Sequence, residues 1–262
     1  MILVLAGTTE GKELALELQH RGYAVLTTVA TDYGQSLLHS VGIKQVICTR
    51  LKNEMWEEIF SAYNVSTVVD ATHPYAVEVT KQAISACGMM KIPYIRMERP
   101  TVPLPKHEFL HTADTLEEAV ELAFSKGNSC FSTMGSKHLG YMMERAKQRG
   151  VQVLARVLPD PGVLEKCINL GIKKSQIIAM QGPVSSEINA ALYKHYQPAV
   201  VLTKESGING GFREKIEPAL NFEIPVVVWQ RPRLDYPVCL TSIKEVLSKI
   251  RSQELGVSSQ NK

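Results

Sequence analysis

The chain has 262 residues, enough for two α/β domains of ordinary size. Its composition, 45% hydrophobic and 21% charged, is that of a globular protein, and no stretch approaches the ~18 consecutive apolar residues of a membrane span. A net charge of +3 with no Lys/Arg run argues against nucleic acid and is compatible with an acidic small molecule. The five cysteines, Cys48, Cys87, Cys130, Cys167 and Cys239, form no C-x-x-C pair. That argues for reduced thiols in a cytoplasm and against a disulfide framework or a zinc site. The start has no basic region followed by a long apolar run, so no signal peptide is expected.

Ile2 to Ala6 predicts a strand buried on both faces. Gly7, Thr8, Thr9 and Glu10 make a turn into a helix from Lys12 to His20, closed by Arg21-Gly22. Tyr23 to Ala30 predicts a second strand, followed by a short helix ending near Gly42. Strands are expected at 43–47, 65–70 and 92–96, with helices at 53–62 and 77–87 between them. A Pro-rich stretch, Pro100 to Pro105, leads to a short strand near Phe109 and a helix at 116–125, for which Asp114 and Glu117 suggest a capping box. Asn128 to Thr133 begins the pattern again.

Five matches stand in register between the halves. Gly7-Thr8 and Gly135-Ser136 lie 128 apart, as do Arg21-Gly22 and Arg149-Gly150. Gly42-Ile43-Lys44 matches Gly171-Ile172-Lys173 at 129, and Val68-Val69 matches Val200-Val201 at 132. Ile92-Pro93 with Arg99-Pro100 matches Ile224-Pro225 with Arg231-Pro232, again at 132. One α/β unit has been copied. The expected fold class is therefore α/β, with two parallel-sheet domains from an internal duplication, a cleft between them and ligands beyond the carboxyl ends of the strands. The expected boundaries are 1–100, a junction strand and helix over 101–126, a second domain over 127–251 and a disordered polar tail over 252–262.

The chemistry-bearing stretches fall at strand ends. Gly7, Thr8, Thr9 and Glu10 form a strand–Gly–helix turn that attracts a diphosphate. Asp70-Ala71-Thr72-His73-Pro74-Tyr75 collects polar side chains in one loop, where Asp70 and Thr72 could also cap the helix from Val77. Thr203-Lys204-Glu205-Ser206-Gly207-Ile208-Asn209-Gly210-Gly211 holds the equivalent place in the second half and suits an anion. Arg213 and Lys215 at the next helix start oppose its dipole, as an external anion would correct. Arg156, at an apolar strand end, either pairs with Asp160 or Glu165 or faces the cleft. The Arg-Pro pairs repeat and are read as architectural. The remaining histidines are isolated, and no Ser–His–Asp order, P-loop or metal cluster is present in the sequence.

Taken in order, Gly7 to Glu10, Asp70 to Pro74, Gly135-Ser136-Lys137, Arg156 to Pro159, Gln181-Gly182-Pro183, Thr203 to Gly207 and Arg231-Pro232 resemble the precorrin-6A and cobalt-precorrin-6A reductase family of cobalamin biosynthesis over roughly residues 1 to 235. The resemblance implies two Rossmann-like domains that exchange strands near their junction. It implies reduction of one double bond of a corrin-precursor macrocycle, precorrin-6A or its cobalt form, by hydride from NADPH or NADH. Lys137, Arg156, Lys204, Ser206, Gly207, Arg213 and Lys215 would then meet the carboxylates of the tetrapyrrole. Gly7, Thr8, Thr9, Glu10, Thr28, Asp32 and Thr72 would meet the dinucleotide, and His73 or Tyr75 could donate the proton. Oxygen-dependent members tend to carry an arginine after the second strand. Here Thr27 to Gly34 has none; its hydroxyls can bind a phosphate, but Asp32 could equally hold a ribose diol, so NADH is a candidate beside NADPH and the expectation tilts toward the cobalt form. Two other classes fit the duplicated architecture: a two-lobed protein that binds a small anion without chemistry, and a two-domain nucleotide-sugar transferase. Neither a membrane nor a nucleic-acid partner is expected, and the oligomeric state is left open.

Overall fold

A computed structural model describes residues 1–98, 100–101, 103–207 and 210–260, with side chains through Gln253. Arg99 of the first Arg-Pro pair and Ile208 and Asn209 of the Gly-rich loop lie outside the described residues. The chain divides into two compact units, Met1–Pro100 with Arg233–Lys262, and Thr101–Pro232.

The first unit opens with β1 (Ile2–Leu5), α1 (Thr9–His20), β2 (Val25–Val29), α2 (Asp32–Ser40) and β3 (Val46–Cys48). It continues with α3 (Met55–Ala62), β4 (Thr67–Asp70), α4 (Val77–Met90) and β5 (Tyr94–Met97). The second unit contains β6 (Leu110–Ala113), α5 (Leu116–Phe124), β7 (Ser129–Ser132), α6 (Leu139–Arg149), β8 (Gln152–Val157) and α7 (Pro161–Asn169). It ends with β9 (Ile177–Ala179), α8 (Ser186–Tyr196), β10 (Val200–Lys204), α9 (Phe212–Asn221) and β11 (Val226–Trp229). The chain then re-enters the first unit as β12 (Cys239–Leu240) and α10 (Ile243–Gln260).

Both sheets are parallel throughout and share one order. The first runs β3-β2-β1-β4-β5-β12 and the second β9-β8-β7-β10-β11-β6. The sixth strand of each sheet comes from the other half of the sequence: β12 pairs with β5 through Cys239 and Arg96, and β6 pairs with β11 through Leu110 and Val226. The order reverses between β1 and β4 in one sheet and between β7 and β10 in the other. At such a reversal the connections leave to opposite faces and open a crevice at the carboxyl ends.

Alternation along β1 serves both faces of its sheet. Ile2 and Val4 pack with Leu14 and Leu18 of α1 and Val246, Leu247 and Ile250 of α10. Leu3 and Leu5 pack with Trp56, Ile59 and Phe60 of α3 and Ala83 and Ala86 of α4. A strand covered on both faces has no polar side, which is why this one reads as an unbroken apolar run. In the second unit, Phe131, Val201, Val226 and Val228 pack on Tyr193 of α8 and Phe212 and Ile216 of α9.

Four expectations differ from the structure. Residues 233–251 belong with the first unit and not with a second domain over 127–251, and 101–126 belongs wholly to the second unit, because the edge strands are exchanged. The tail expected to be irregular from 252 is helical to Gln260, continuing a helix anchored by Val246, Leu247 and Ile250. The capping box is Thr115 with Glu118, not Asp114 with Glu117. The third strand starts at Val46, not Ile43, because the Ile43 N–H closes the end of α2 by bonding the Leu38 carbonyl.

Since α10 covers one face of the first sheet, Ile250→Ala should lower stability by about 2–4 kcal/mol. The exposed Lys249→Ala should change it by less than about 0.5 kcal/mol. Urea titration of both variants checks the pair, and equal effects would contradict the packing of α10.

Candidate active site

The Gly7 turn joins β1 to α1 at the reversal of the first sheet. The helix begins earlier than its periodicity suggests, at Thr9, because Thr8 is its N-cap. The Thr8 hydroxyl accepts from the Gly11 N–H at 3.1 Å and donates to the Ala71 carbonyl at 3.0 Å, so it ties the turn to the end of β4. A side chain at Gly11 would meet the Ala71 Cβ at 3.2 Å and its carbonyl oxygen at 3.3 Å, so the helix packs closely on that strand end. The Ala6 N–H is taken by the Thr28 carbonyl, whereas those of Gly7 and Thr8 have no partner among the described residues. Two such donors beside a helix start fit the phosphate of a dinucleotide. Thr9 is exposed and Glu10 half-buried.

Asp70, at the end of β4, is fully buried. Its Oδ1 accepts from the Thr72 N–H at 2.9 Å, the Thr72 hydroxyl at 2.6 Å and Arg96 Nη1 at 2.8 Å. Its Oδ2 accepts from the Thr80 hydroxyl at 2.7 Å and the Tyr94 hydroxyl at 2.8 Å. Asp70 is therefore not the helix cap that the sequence allowed: the N-cap of α4 is Ala76, and no side chain caps it. Burial and the neighbouring carboxylate raise the Tyr94 hydroxyl far above its ordinary range, so it stays a donor. Burial opposes the charge on Arg96, but Asp70 and Glu98 outweigh it and hold the guanidinium above its usual value.

The loop from this pair carries the two proton-donor candidates. His73 is half-buried, and its Nδ1 accepts from the Tyr75 N–H at 3.3 Å. Tyr75 is buried, with its ring centroid 5.5 Å from that of His73. A cavity of about 200 Å³ opens beside the loop, lined by Thr8, Glu10, Thr72, Arg96 and Glu98 and by Thr241 and Ser242 of the returning segment. Ligand pockets commonly enclose about 300–1,000 Å³, so this one suits an end of a dinucleotide and not the whole. Of the other cofactor candidates, Thr28 is buried within β2, and Asp32 is exposed at the start of α2, where its Oδ1 accepts from the Cys48 thiol at 3.5 Å.

The second unit gathers cations on the carboxyl side of its sheet, in β8, at the end of β10 and at the start of α9. Arg156, in β8, is buried, and its Nη1 donates to the Asn189 side-chain oxygen at 2.6 Å. It pairs with neither Asp160 nor Glu165. Asp160 instead caps α7 by accepting from the Val163 N–H at 3.0 Å. Lys215 is buried and donates to the Ser206 hydroxyl at 2.9 Å. Neither Arg156 nor Lys215 forms an ion pair among the described residues. Burial lowers both, and Arg156 and Lys204 push Lys215 further down, to about 7. Burial and the nearby Lys137 likewise lower Lys204. Depression of Lys215 by Arg156 and Lys204, and of Lys204 by Lys137, means that positive charges crowd together, which an anion would relieve. Gly207 is buried in the same loop as Ser206. Lys137 is exposed, beside the Gly135 turn. Arg213 is also exposed, and no contact among the described residues ties it to the cluster.

Sequence reasoning missed two residues. Arg96 was read only as a strand end. Its signal was the opposite charge of Asp70 at the end of the neighbouring buried strand, and the two stand directly in register. His138 was read as isolated, but its ring packs edge-on against Trp229 with centroids 5.2 Å apart. Burial, with help from Lys137, Lys204 and Lys166, lowers it to about 4, so it is neutral at pH 7.

The depressed amine has a measurable consequence. Below pH 7 Lys215 is protonated in the folded and unfolded chains alike, and its full burial cost is present. Between about 7 and 10 only the unfolded chain holds the proton, so this group makes stability rise by up to ~1.4 kcal/mol per pH unit. Wild type should therefore gain stability relative to Lys215→Met from pH 7 to 9 in urea titrations. A difference that stays flat would mean that Lys215 titrates normally.

Comparison with known proteins matches residues 1–251 to the family model "Precorrin-6x reductase CbiJ/CobK". Relatives named cobalt-precorrin-6A reductase include one from Priestia megaterium, 36% identical over 97% of this chain and 99% of its own length. Another, from Methanocaldococcus jannaschii, is 35% identical over 97% of this chain and 99% of its own. A precorrin-6A reductase from Mycobacterium tuberculosis is 27% identical over 89% of each chain. A solved structure titled "CobK precorrin-6A reductase" superposes with a TM-score of 0.77 at 19% identity, covering 96% of both chains, and so shares the fold. The chain belongs to the precorrin-6x reductase family, oxidoreductases of cobalamin biosynthesis that act on a CH–CH group.

Proposed function

We propose that the chain reduces cobalt-precorrin-6A to its 6B form with hydride from a nicotinamide dinucleotide, the first unit holding the dinucleotide and the second the polycarboxylate ring. The observation that carries this division is a contrast between the charged groups on the carboxyl side of each sheet. In the first unit Asp70 neutralises Arg96 internally, beside a Gly turn with two open N–H donors. In the second, buried Arg156 and Lys215 have only neutral hydrogen-bond partners. A macrocycle bearing many carboxylates needs the second environment, and a diphosphate finds open backbone donors in the first.

The bound dinucleotide supplies the hydride, and the protein supplies position, electrostatics and a proton for the neighbouring carbon. Gly7, Thr8, Thr9 and Glu10 shape the phosphate turn, Thr72 walls it, and Thr28 and Asp32 lie on the second-strand side, where the adenosine ribose belongs in this topology. Asp32 favours a free ribose diol, so NADH is preferred over NADPH. His73 and Tyr75 are the candidate proton donors, and the less buried His73 is the better placed to meet a ligand. Lys137, Lys204, Ser206, Gly207 and Arg213 complete the anion-binding side around Arg156 and Lys215. The cobalt form is favoured because the relatives at 34–36% identity carry that name. Five free thiols fit the cytoplasm, and no described helix is long and apolar enough to cross a membrane.

Anaerobic turnover of cobalt-precorrin-6A and precorrin-6A, each with NADH and NADPH, tests the assignment. The cobalt form with NADH should be consumed fastest. Oxidation of neither dinucleotide with either ring would end the proposal. Asp32→Ala should lower kcat/KM for NADH about tenfold and leave NADPH nearly unchanged, since it removes a contact to the diol alone. His73→Phe should lower kcat by about 10² if it is the donor, and Arg156→Met should raise KM for the ring but not for the dinucleotide.

A further inference from the structure

Arg96 lies two strands away from the Gly7 turn, on β5 with β4 between, yet its donors converge on the loop that faces that turn. Nη2 donates to the Thr72 carbonyl at 3.0 Å, and Nη1 donates to the Thr72 hydroxyl at 3.1 Å as well as to Asp70. Thr72 in turn lies against Gly7. A Cβ added at Gly7 would sit 3.8 Å from the Thr72 Cα and 3.9 Å from the His73 nitrogen. The backbone at Thr72–His73 is therefore one wall of the phosphate turn, and the guanidinium grips it from behind.

The grip is itself held by the exchanged segment. Nε of Arg96 donates to Glu98 Oε2 at 3.1 Å, and the Tyr236 hydroxyl donates to the same oxygen at 3.0 Å. The guanidinium carbon lies 5.4 Å from the centre of the Tyr236 ring. The Arg96 N–H donates to the Val238 carbonyl at 2.8 Å, so β12 fixes its backbone too. Lysine could keep the charge beside Asp70 but could not span Asp70, Thr72 and Glu98 at once, because only a planar fork presents donors in three fixed directions.

We propose that Arg96 is a positioning residue for the dinucleotide, acting through the Thr72 carbonyl and hydroxyl, and that Tyr236 and Glu98 of the first unit lock it in place. The proposal rests on the first unit being the dinucleotide half. It assigns the C-terminal segment a part in cofactor binding beyond completing a sheet.

The test uses the full chain and compares Arg96→Lys, Tyr236→Phe and Ile250→Ala with wild type. Dinucleotide affinity is measured by NADH and NADPH fluorescence titration, the KM of each substrate by turnover, and stability by melting. Arg96→Lys should weaken dinucleotide binding about tenfold or more and leave the ring's KM within about twofold. Tyr236→Phe should weaken it about two- to fivefold, since one hydrogen bond behind the guanidinium is lost. Ile250→Ala should melt lower and bind the dinucleotide normally. Arg96→Lys and Tyr236→Phe variants that melt lower but bind the dinucleotide as wild type does would overturn the proposal. If Arg96→Lys does not fold, Tyr236→Phe decides alone, and unchanged affinity there overturns it. Wild type that binds the ring but neither dinucleotide would defeat the assignment of the first unit, and the proposal with it.

Discussion

A carboxylate with no solvent access sets the terms for the first unit. Asp70 is 0% exposed at the end of a central strand. An isolated charge there would cost far more than a domain's net stability allows, so it persists only with a complete set of donors. Five donors from Thr72, Thr80, Tyr94 and Arg96 converge on it. They come from the following loop, the next helix and the adjacent strand. The carboxylate therefore specifies where that loop starts, and the loop lies against the Gly7 turn. Such a pair is weak evidence for stability, because replacing both partners by apolar groups is often neutral. Its value here is geometric: it removes the freedom of a loop that carries Thr72, His73 and Tyr75.

The second unit resolves the same topology without that carboxylate. Its central strand, β10, ends in Thr203 and Lys204, and Thr203 accepts from the buried Thr133 hydroxyl at 2.8 Å. The buried acid of this unit, Glu205, lies further out and contacts Arg231 at 3.3 Å. Arg156 and Lys215 are left with an amide and a hydroxyl. The two units thus share the strand order and a Gly turn after the first central strand, while a buried ion pair in one is replaced by buried cations with neutral partners in the other. Backbone geometry is shared where it holds the sheet, and side chains differ at the carboxyl ends of the strands.

Most of the strands and the copy relation were legible in the sequence because they rest on local signals: apolar runs, Gly turns and matches at 128 to 132 residues. Exchange of the edge strands was not legible from composition or spacing. β6 and β12 are four and two residues long, and nothing in Leu110–Ala113 or Cys239–Leu240 names the sheet each joins. That choice is made by pairing partners more than a hundred residues away, and the resemblance to a known family supplied it. The same limit governed the site. Residues in one loop were grouped correctly, but Arg156 finds Asn189 across 33 residues and Arg96 finds Asp70 across 26. Charge alone suggested nearby carboxylates, Asp160 and Glu165, because sequence distance was the only measure of proximity.

The exchanged strand also explains why the end of the chain is not a dispensable tail. A parallel sheet with an open edge exposes unpaired backbone groups, and a short added strand covers them. β12 does this for β5, but two residues contribute little pairing energy. The segment is held mainly by what flanks it: Tyr236 on Glu98 and Arg96 before the strand, and Val246, Leu247 and Ile250 against Ile95 and Met97 after it. The polar tie reaches the Thr72–His73 loop through Arg96, and the apolar tie reaches the core beneath it. A segment encoded after the second unit is thereby built into the first at two depths, so neither half of the sequence, expressed alone, would contain a complete sheet.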